Sequence, residues 1–504
     1  MKRIFALLLL VLLLIPFAAS CVQPNNEDDD DNKEKPYGSL NFDEVIAEHK
    51  GEKVNILGAS WSSSGGEPGF PWSQPELCVK DGDFGGNAGN FGKEINDAVL
   101  EREEYIKETY DIDLNWIYCG GASMLNRLTE AAKNKGTAAG DIYHIAMPHV
   151  YEAQEIVVQK ALYAIGDKYI NFDADYYNQD AAEAFTLAGN TFYVAGDMGI
   201  LEKQASFVLY YNNAVAEQFG SAFPDLYAAA LNGTWTIDTL FTLADQVSEN
   251  LDKKDEYTDD DKYGLGTAQL ATFFQYFGIY QVGKSKDVDN NETFTLALED
   301  NRVETIIEKM LFCIDNEKSI RTKWTGNMND AFTADRLLFY HEAFEKIFSF
   351  SNELKVGLLP FPKLTTEQDR YYVPFAQQGT VTCVPRATDD RAFSECMIEV
   401  LAMTGEEYLI PAYLKKIGNH LYAGYKEKSL KVVEEQIFPN VMYDLGYMYG
   451  RFNGDGEGLV TKSIQAACIA NNKNEFSKYM MGTEKREAED FLVNWTEAYN
   501  NYSE

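Results

Sequence analysis

Five histidines, seven cysteines and 79 acidic residues are the groups in this sequence that could pass protons, attack a carbon or hold a metal. The histidines His49, His144, His149, His341 and His420 stand far apart, and none belongs to an HExxH or comparable metal motif. A GxSxG elbow, a phosphate-binding P-loop and a GxGxxG fingerprint are all missing. After Cys21, the cysteines Cys78, Cys119, Cys313, Cys383, Cys396 and Cys468 are scattered without a CxxC pair or zinc spacing. They read as buried free thiols, with a disulfide left open. The acidic stretch DKKDEYTDDDKYG (Asp252 to Gly264) could offer oxygens to calcium, but Lys253, Lys254 and Tyr257 break the required ligand alternation. Asp261 is expected to cap a turn instead. No metal and no cofactor is therefore expected. A pair of carboxylates acting as acid and base leaves no sequence spacing, because it is defined by separation in space. That chemistry stays open.

The elements that must position such groups alternate. With 504 residues the chain is long enough for two to four domains, and 45% apolar with 24% charged residues is an ordinary globular balance. Val54 to Leu57 reads as a buried strand, followed by a loop with Trp61 and Trp72. In KEINDAVLEREEYIKETY, Ile95, Ala98, Val99, Tyr105 and Ile106 recur at helical spacing. Ile112, Leu114 and Trp116 alternate with polar residues as a strand, a helix follows from about Ala122 to Lys135, and Asp141 to Ile145 is another strand. This strand, helix, strand order predicts a parallel α/β layer. Further strands are expected at Ser206 to Tyr211, Phe294 to Asp300, Leu337 to Tyr340, Lys355 to Leu359 and Thr380 to Val384. Asn212 and Thr236 stand where helix N-caps belong, and the chain from about Asp389 to Tyr502 reads as mostly helical.

The first segment, MKRIFALLLLVLLLIPFAASC, has Lys2 and Arg3, an apolar run and small residues before Cys21, which is the layout of an export signal. The run from Ile4 to Phe17 is short for a membrane span of about 20 residues. Ala18-Ala19-Ser20-Cys21 resembles the lipobox of bacterial lipoproteins, which implies lipidation of Cys21 and residence on the extracellular face of the cytoplasmic membrane. Residues 22–50 begin with an acidic run that reads as a flexible, self-repelling tether. The formal net charge of -35 disfavours nucleic acid and bare anionic lipid as partners.

Several stretches carry a family resemblance: GDIYHIAMPH (Gly140 to His149), GNTFYVAGDMGILEKQASFVLYYNN (Gly189 to Asn213) and GTWTIDTLFTLA (Gly233 to Ala244). Later come DKYGLG (Asp261 to Gly266), FTADRLLFY (Phe332 to Tyr340), KVGLLPFPK (Lys355 to Lys363) and YYVPFAQQGTVTCVP (Tyr371 to Pro385). From about Val54 to Tyr449 their order resembles extracellular solute-binding protein family 1, the sugar-type substrate-binding proteins of bacterial ABC importers. The resemblance implies an α/β, two-lobed periplasmic-binding-protein-like fold of class II, with hinged lobes and a ligand cleft between them. It implies a first lobe of about 51–167 plus 325–377 and a second of about 168–324 plus 378–504. It also implies capture of a carbohydrate or other small solute, delivery to an ABC permease, and no catalysis.

Such a cleft needs aromatic plates for sugar C–H faces and polar groups for hydroxyls. The resemblance places Trp61 on a cleft loop, while Trp72 stands either at the cleft or over the lobe surface. His149 follows a strand end, with a capping or surface role as the alternative. Glu202, Lys203 and Gln204 fall where the family tends to have hinge and cleft residues, a solvated turn being the other reading. Tyr340, His341 and Glu342 follow another strand end that resembles a cleft edge. Gln377 and Gln378 precede the strand at Thr380; amides both donate and accept, which suits hydroxyls. Trp235 reads as structural. The rival is a lipid-anchored polysaccharide-degrading enzyme with an Asp/Glu pair, and a surface adhesin or scaffold is a third class.

Overall fold

Val54, Ile56 and Leu57 are fully buried in β1 (Lys53–Ser60), which lies between two parallel neighbours, β2 (Asp113–Gly120) and β3 (Ile145–Met147). A computed structural model of the chain describes residues 42–60, 74–77, 92–120, 123–135, 140–254, 256–297, 300–323, 326–448 and 483–502. Cys21, the start of the tether, Trp61, Trp72, Cys78 and Cys468 lie outside the described residues. Burial of β1 between neighbours explains its near-continuous apolar run. The helices Gly92–Tyr110 and Met124–Lys133 cover the layer, the first through the predicted Ile95, Ala98, Val99 and Ile106. Tyr105 lies outside that buried set, and Tyr110 lies within it. The third strand starts at Ile145 rather than at Asp141, so its register against Ile56 begins where the polar residues end.

β4 (Leu162–Tyr163) and the small hairpin of β5 (Thr186–Leu187) and β6 (Asn190–Thr191) extend this region. The chain then enters a second, five-stranded sheet through β7 (Phe207–Asn212), all six residues of which are buried. β8 (Tyr263–Thr267) follows, then a hairpin of β9 (Val282–Lys286) and β10 (Glu292–Leu296), then β11 (Ile320–Arg321), β12 (Leu337–Ala343) and β13 (Val356–Leu359). The sheet order is β11-β8-β12-β7-β13, with β7 antiparallel to both β12 and β13. The Asn212 side chain accepts a hydrogen bond from the Val215 N–H at 3.2 Å, as its capping position predicts. Thr236 stands at the N-cap of the helix Ile237–Val247, but its hydroxyl meets Thr239 Oγ1 at 3.1 Å instead of the backbone. Trp235 is fully buried with its indole N–H on the Pro360 carbonyl at 3.1 Å, a structural residue.

β14 (Val384–Pro385) returns the chain to the first region, pairing with β4. Cys383 bridges Ala146, Thr380 bridges His149 and Thr382 bridges Val194. These ladders correct the expected lobe limits. The resemblance implies that 325–377 lies in the first lobe, yet its strands β12 and β13 belong to the sheet of β7 and β8. It implies that the span from 378 lies in the second, yet residues 380–385 pair with His149, Ala146 and β4, and Thr382 pairs with Val194. Periodicity marks a strand but not its partner, and every one of these pairings is distant in sequence. The strand expected at Phe294 to Asp300 is shifted to Glu292–Leu296, as half of the hairpin with β9. After Asp389 the described chain is mainly helical, from Arg391–Thr404 to Thr483–Asn500.

Candidate functional site

Three chain segments run side by side where the two sheets meet. The Phe207 N–H donates to the Pro374 carbonyl at 2.9 Å and the Ala376 N–H to the Ala205 carbonyl at 2.9 Å. Val373 in turn donates to the Asn440 carbonyl at 2.9 Å and accepts from the Met442 N–H at 3.0 Å. The segments around 205, 374 and 441 thus form a short three-stranded junction with few bonds across it, the geometry of a hinge.

Side chains crowd this junction. Glu202 and Lys203 are buried in the short helix Leu201–Ala205, and the Tyr443 hydroxyl donates to the Glu202 carboxylate, joining two of the three segments. Burial raises the pKa of Glu202. Lys203 donates to Asp197 Oδ1 at 2.6 Å; burial opposes its charge, but Asp197 and Glu202 together hold its pKa above the ordinary value. Gln204 is buried in the same turn.

At the carboxyl end of β3, His149 is fully buried and its Nδ1–H donates to the Gln378 carbonyl. Burial pushes its pKa down to about 4, so the ring is neutral, and it stacks on Tyr151 with centroids 5.6 Å apart. The adjacent Gln377 amide donates to the Tyr447 carbonyl at 2.6 Å. Asp444, three residues earlier, accepts from the Gln275 amide at 2.7 Å, the Gln281 N–H at 2.9 Å and the Gly446 N–H at 3.0 Å. A continuous polar path therefore leads from the end of β3 in the first layer, across the junction, to the segment that follows β8 in the second. α/β sheets bind ligands in crevices beyond such strand ends.

Two cavities flank the junction. One of 460 Å³ is lined by Asp180, Tyr280, Phe294, Arg370 and Tyr443, and one of 520 Å³ by Tyr176, Asp197, Glu202, Lys203 and Phe438. Asp180 and Arg370 border both; Arg370 donates to Asp180 at 2.6 Å and the Tyr280 hydroxyl donates to its other oxygen at 2.6 Å. Both volumes lie in the range of small-molecule sites.

No family model matches the chain, and no curated protein matches it. Solved structures do. A cyclo/maltodextrin-binding protein complexed with maltotetraose is similar at a TM-score of 0.51 and 12% identity, over 90% of this chain and 98% of that one. The extracellular solute-binding protein of Staphylococcus aureus in complex with maltose gives 0.50 and 12%, over 88% and 96%. The galacto-N-biose-/lacto-N-biose I-binding protein of the ABC transporter from Bifidobacterium longum, complexed with lacto-N-biose, gives 0.50 and 12%, over 88% and 97%. The fold is that of the two-lobed solute-binding proteins.

Within this solute-binding fold the sequence-derived candidates divide. His149, Gln377 and Gln378 come together beyond the end of β3, and Glu202, Lys203 and Gln204 at the three-segment junction. The Glu202 turn is buried rather than solvated, because Tyr443 and Asp197 pair its charges. Tyr340 and His341 are a different case: they lie inside the second layer and not on an open edge. Tyr340 packs on Tyr210 and Phe332, and the His341 ring nitrogens contact Thr267 Oγ1 at 2.9 Å and the Tyr276 hydroxyl. Glu342 is half-buried and accepts from the Ala343 N–H at 2.9 Å. Asp261 caps its turn as expected, accepting from the Leu251 N–H at 2.8 Å and the Thr258 N–H at 2.6 Å. Among the described residues, no group of three or more His, Cys, Asp or Glu is arranged to hold a metal.

The sequence reading missed Gln275, Gln281, Arg370, Tyr443 and Asp444. Tyr443 and Asp444 sit in the stretch that reads as mostly helical, and only their distant partners give them a role.

Proposed function

We propose that the chain is a member of solute-binding protein family 1: a lipid-anchored extracellular receptor that captures a carbohydrate between its lobes and delivers it to an ABC permease. The observation that carries this reading is the junction of three segments, flanked by two cavities lined with polar groups and rings, in a fold whose solved examples hold maltotetraose, maltose and lacto-N-biose. The lipobox-like end of the export signal supports anchoring through Cys21. Neutral sugars are compatible with a net charge of -35, since they are not repelled by it. The mechanism is a population shift, in which ligand touching both lobes favours the closed form that the permease reads. Trp61 and Trp72 are proposed as ring contacts for the sugar.

Thermal-shift screening of the protein lacking residues 1–21 against a carbohydrate library tests the reading, with product analysis in the same wells. A binder raises the melting point and is recovered intact. Cleaved sugar establishes the rival hydrolase, and the absence of any shift rejects carbohydrate capture. In Trp61→Ala the shift is expected to shrink.

A further inference from the structure

A further cavity, of 340 Å³, opens in the second layer at the end of β7 away from the junction. Phe207 is bonded into the junction, and Tyr211, which lines the cavity, lies about 13 Å further along the strand. Rings make the floor. Tyr211 and Tyr227 are 4% and 2% exposed and meet edge to face with centroids 5.9 Å apart. Tyr425, half-buried, stacks on Tyr227 at 5.9 Å, and Phe223 lines the same space. The rim residues Glu217, Gly220, Pro224, Asp225 and Lys428 are exposed, so solvent reaches the rings from outside.

The polar groups of the wall and rim are bonded to one another. Asn213 Nδ2 donates to the Tyr227 hydroxyl at 3.0 Å and to the Lys355 carbonyl at 3.1 Å. The Tyr425 hydroxyl donates to Glu217 at 3.1 Å, and the other oxygen of Glu217 meets the Lys355 ammonium at 2.6 Å. Asp225 accepts from the Ala228 N–H at 3.2 Å and meets Lys428 at 2.7 Å. Each rim carboxylate thus has its own lysine, and the charges balance. The Tyr211 hydroxyl differs: among the described residues no hydrogen bond reaches it. Burial raises its pKa, with Tyr425, Asp225 and Glu217 adding to the effect, so it keeps its proton to donate. Native structures seldom leave a buried hydroxyl without a partner. This one lines an open cavity, where a bound molecule can supply the acceptor.

We propose that the cavity is a second carbohydrate site, separate from the space between the lobes, and that it takes one neutral pyranose ring against Tyr211, Tyr227 and Tyr425. The rings meet the C–H faces of a sugar, the Tyr211 O–H donates to one of its oxygens, and the carboxylates of Glu217 and Asp225 have lone pairs left for its hydroxyls. A volume of 340 Å³ is at the small end of ligand sites, which suits one ring and not a long oligosaccharide. The paired lysines disfavour a cation. Ser429, next to Lys428, holds β13 through the Leu358 N–H at 2.8 Å, so the wall with Tyr425 belongs to the second layer like the rest of the cavity. The site therefore keeps its shape whatever is held between the lobes.

The test labels the full chain with 3-fluorotyrosine and assigns the Tyr211 and Tyr425 fluorine resonances by their loss in Tyr211→Phe and Tyr425→Phe. Methyl α-glucopyranoside, methyl β-galactopyranoside and choline are then titrated. The Tyr425 resonance is expected to move saturably with at least one glycoside and not with choline. In Tyr211→Phe the half-saturation point is expected to rise about tenfold. The ligand-free melting temperature of that variant is expected to fall by no more than about 2 °C, because no protein partner is lost. A half-saturation point within twofold of the parent overturns the proposal. So does a larger fall in melting temperature, since the hydroxyl is then structural, and so does a resonance that moves with choline or with neither glycoside. If Tyr211→Phe also abolishes the thermal shift of the sugar found in the library screen, the two readouts report one event and the separate site is overturned. Absence of any shift in that screen rejects capture between the lobes and not this site, which the fluorine titration reads on its own.

Discussion

Two buried histidines, one near the carboxyl end of a strand in each layer, show how differently the layers treat similar sequence. His149 sits at the edge of the first layer, bonded to a backbone carbonyl next to the return strand and stacked on a ring. His341 sits within the second sheet, its two nitrogens met by Thr267 and Tyr276 and its ring packed on Phe361 with centroids 4.9 Å apart. Burial holds both neutral, with pKa values of about 4 and about 3. The first belongs to a surface where the layers meet, and the second to a core.

The largest expected effect follows from that contrast. His341→Ala strands two hydroxyls and opens a void, and is expected to cost about 3 kcal/mol in urea denaturation; His149→Ala is expected to cost about half as much. Equal losses would erase the distinction between edge and core.

The acid limb of stability sharpens it. Each histidine titrates at 6.5 ordinarily and well below that when folded, so the unfolded chain binds more protons between the two values. Their contribution is fully present above pH 6.5 and is lost as pH falls, at about 1.4 kcal/mol per pH unit for each ring. His341→Leu should flatten this decline down to about pH 3, and His149→Leu only down to about pH 4. A parent whose stability is level from pH 7 to pH 4, once the carboxylates are accounted for, contradicts two buried neutral rings.

The carboxylate of Glu345, in the turn that follows β12, gives the smallest effect and the opposite sign. Burial, with Glu342 adding repulsion, pushes Glu345 up to about 7. Its neutral form is favoured in the fold, so its contribution is present below its ordinary value of 4.5 and is lost as pH rises through 7. Glu345→Gln is expected to gain about 1 kcal/mol at pH 8 and almost nothing at pH 4, read from the same denaturation curves.

Much of the first layer was legible because its signals are local. Val54 to Leu57, the helix with Ile95 and Val99, and the strand with Trp116 all announce themselves by period, and Asn212 by its place before a helix. The partners of β12, β13 and residues 380–385 were not legible, because a pairing such as Leu337 with Tyr263 leaves no trace at either position. The same limit governs the site. His149 and Gln377 could be guessed from strand ends, whereas the link of Gln377 to Tyr447, and of Asp444 to Gln275, exists only once the chain has folded. His341 was misplaced at a cleft edge because strand periodicity gives the direction of a side chain and not what covers it.

The central claim is that two lobes close on an unaltered carbohydrate. Spin labels on Leu100→Cys, in the helix over the first layer, and Lys318→Cys, beside β11 in the second, report the separation of the layers directly. With saturating maltotetraose, or whichever sugar gives the thermal shift, the distance distribution is expected to move to a single narrower population, and the sugar to be recovered intact. A distribution unchanged at saturation would contradict the account.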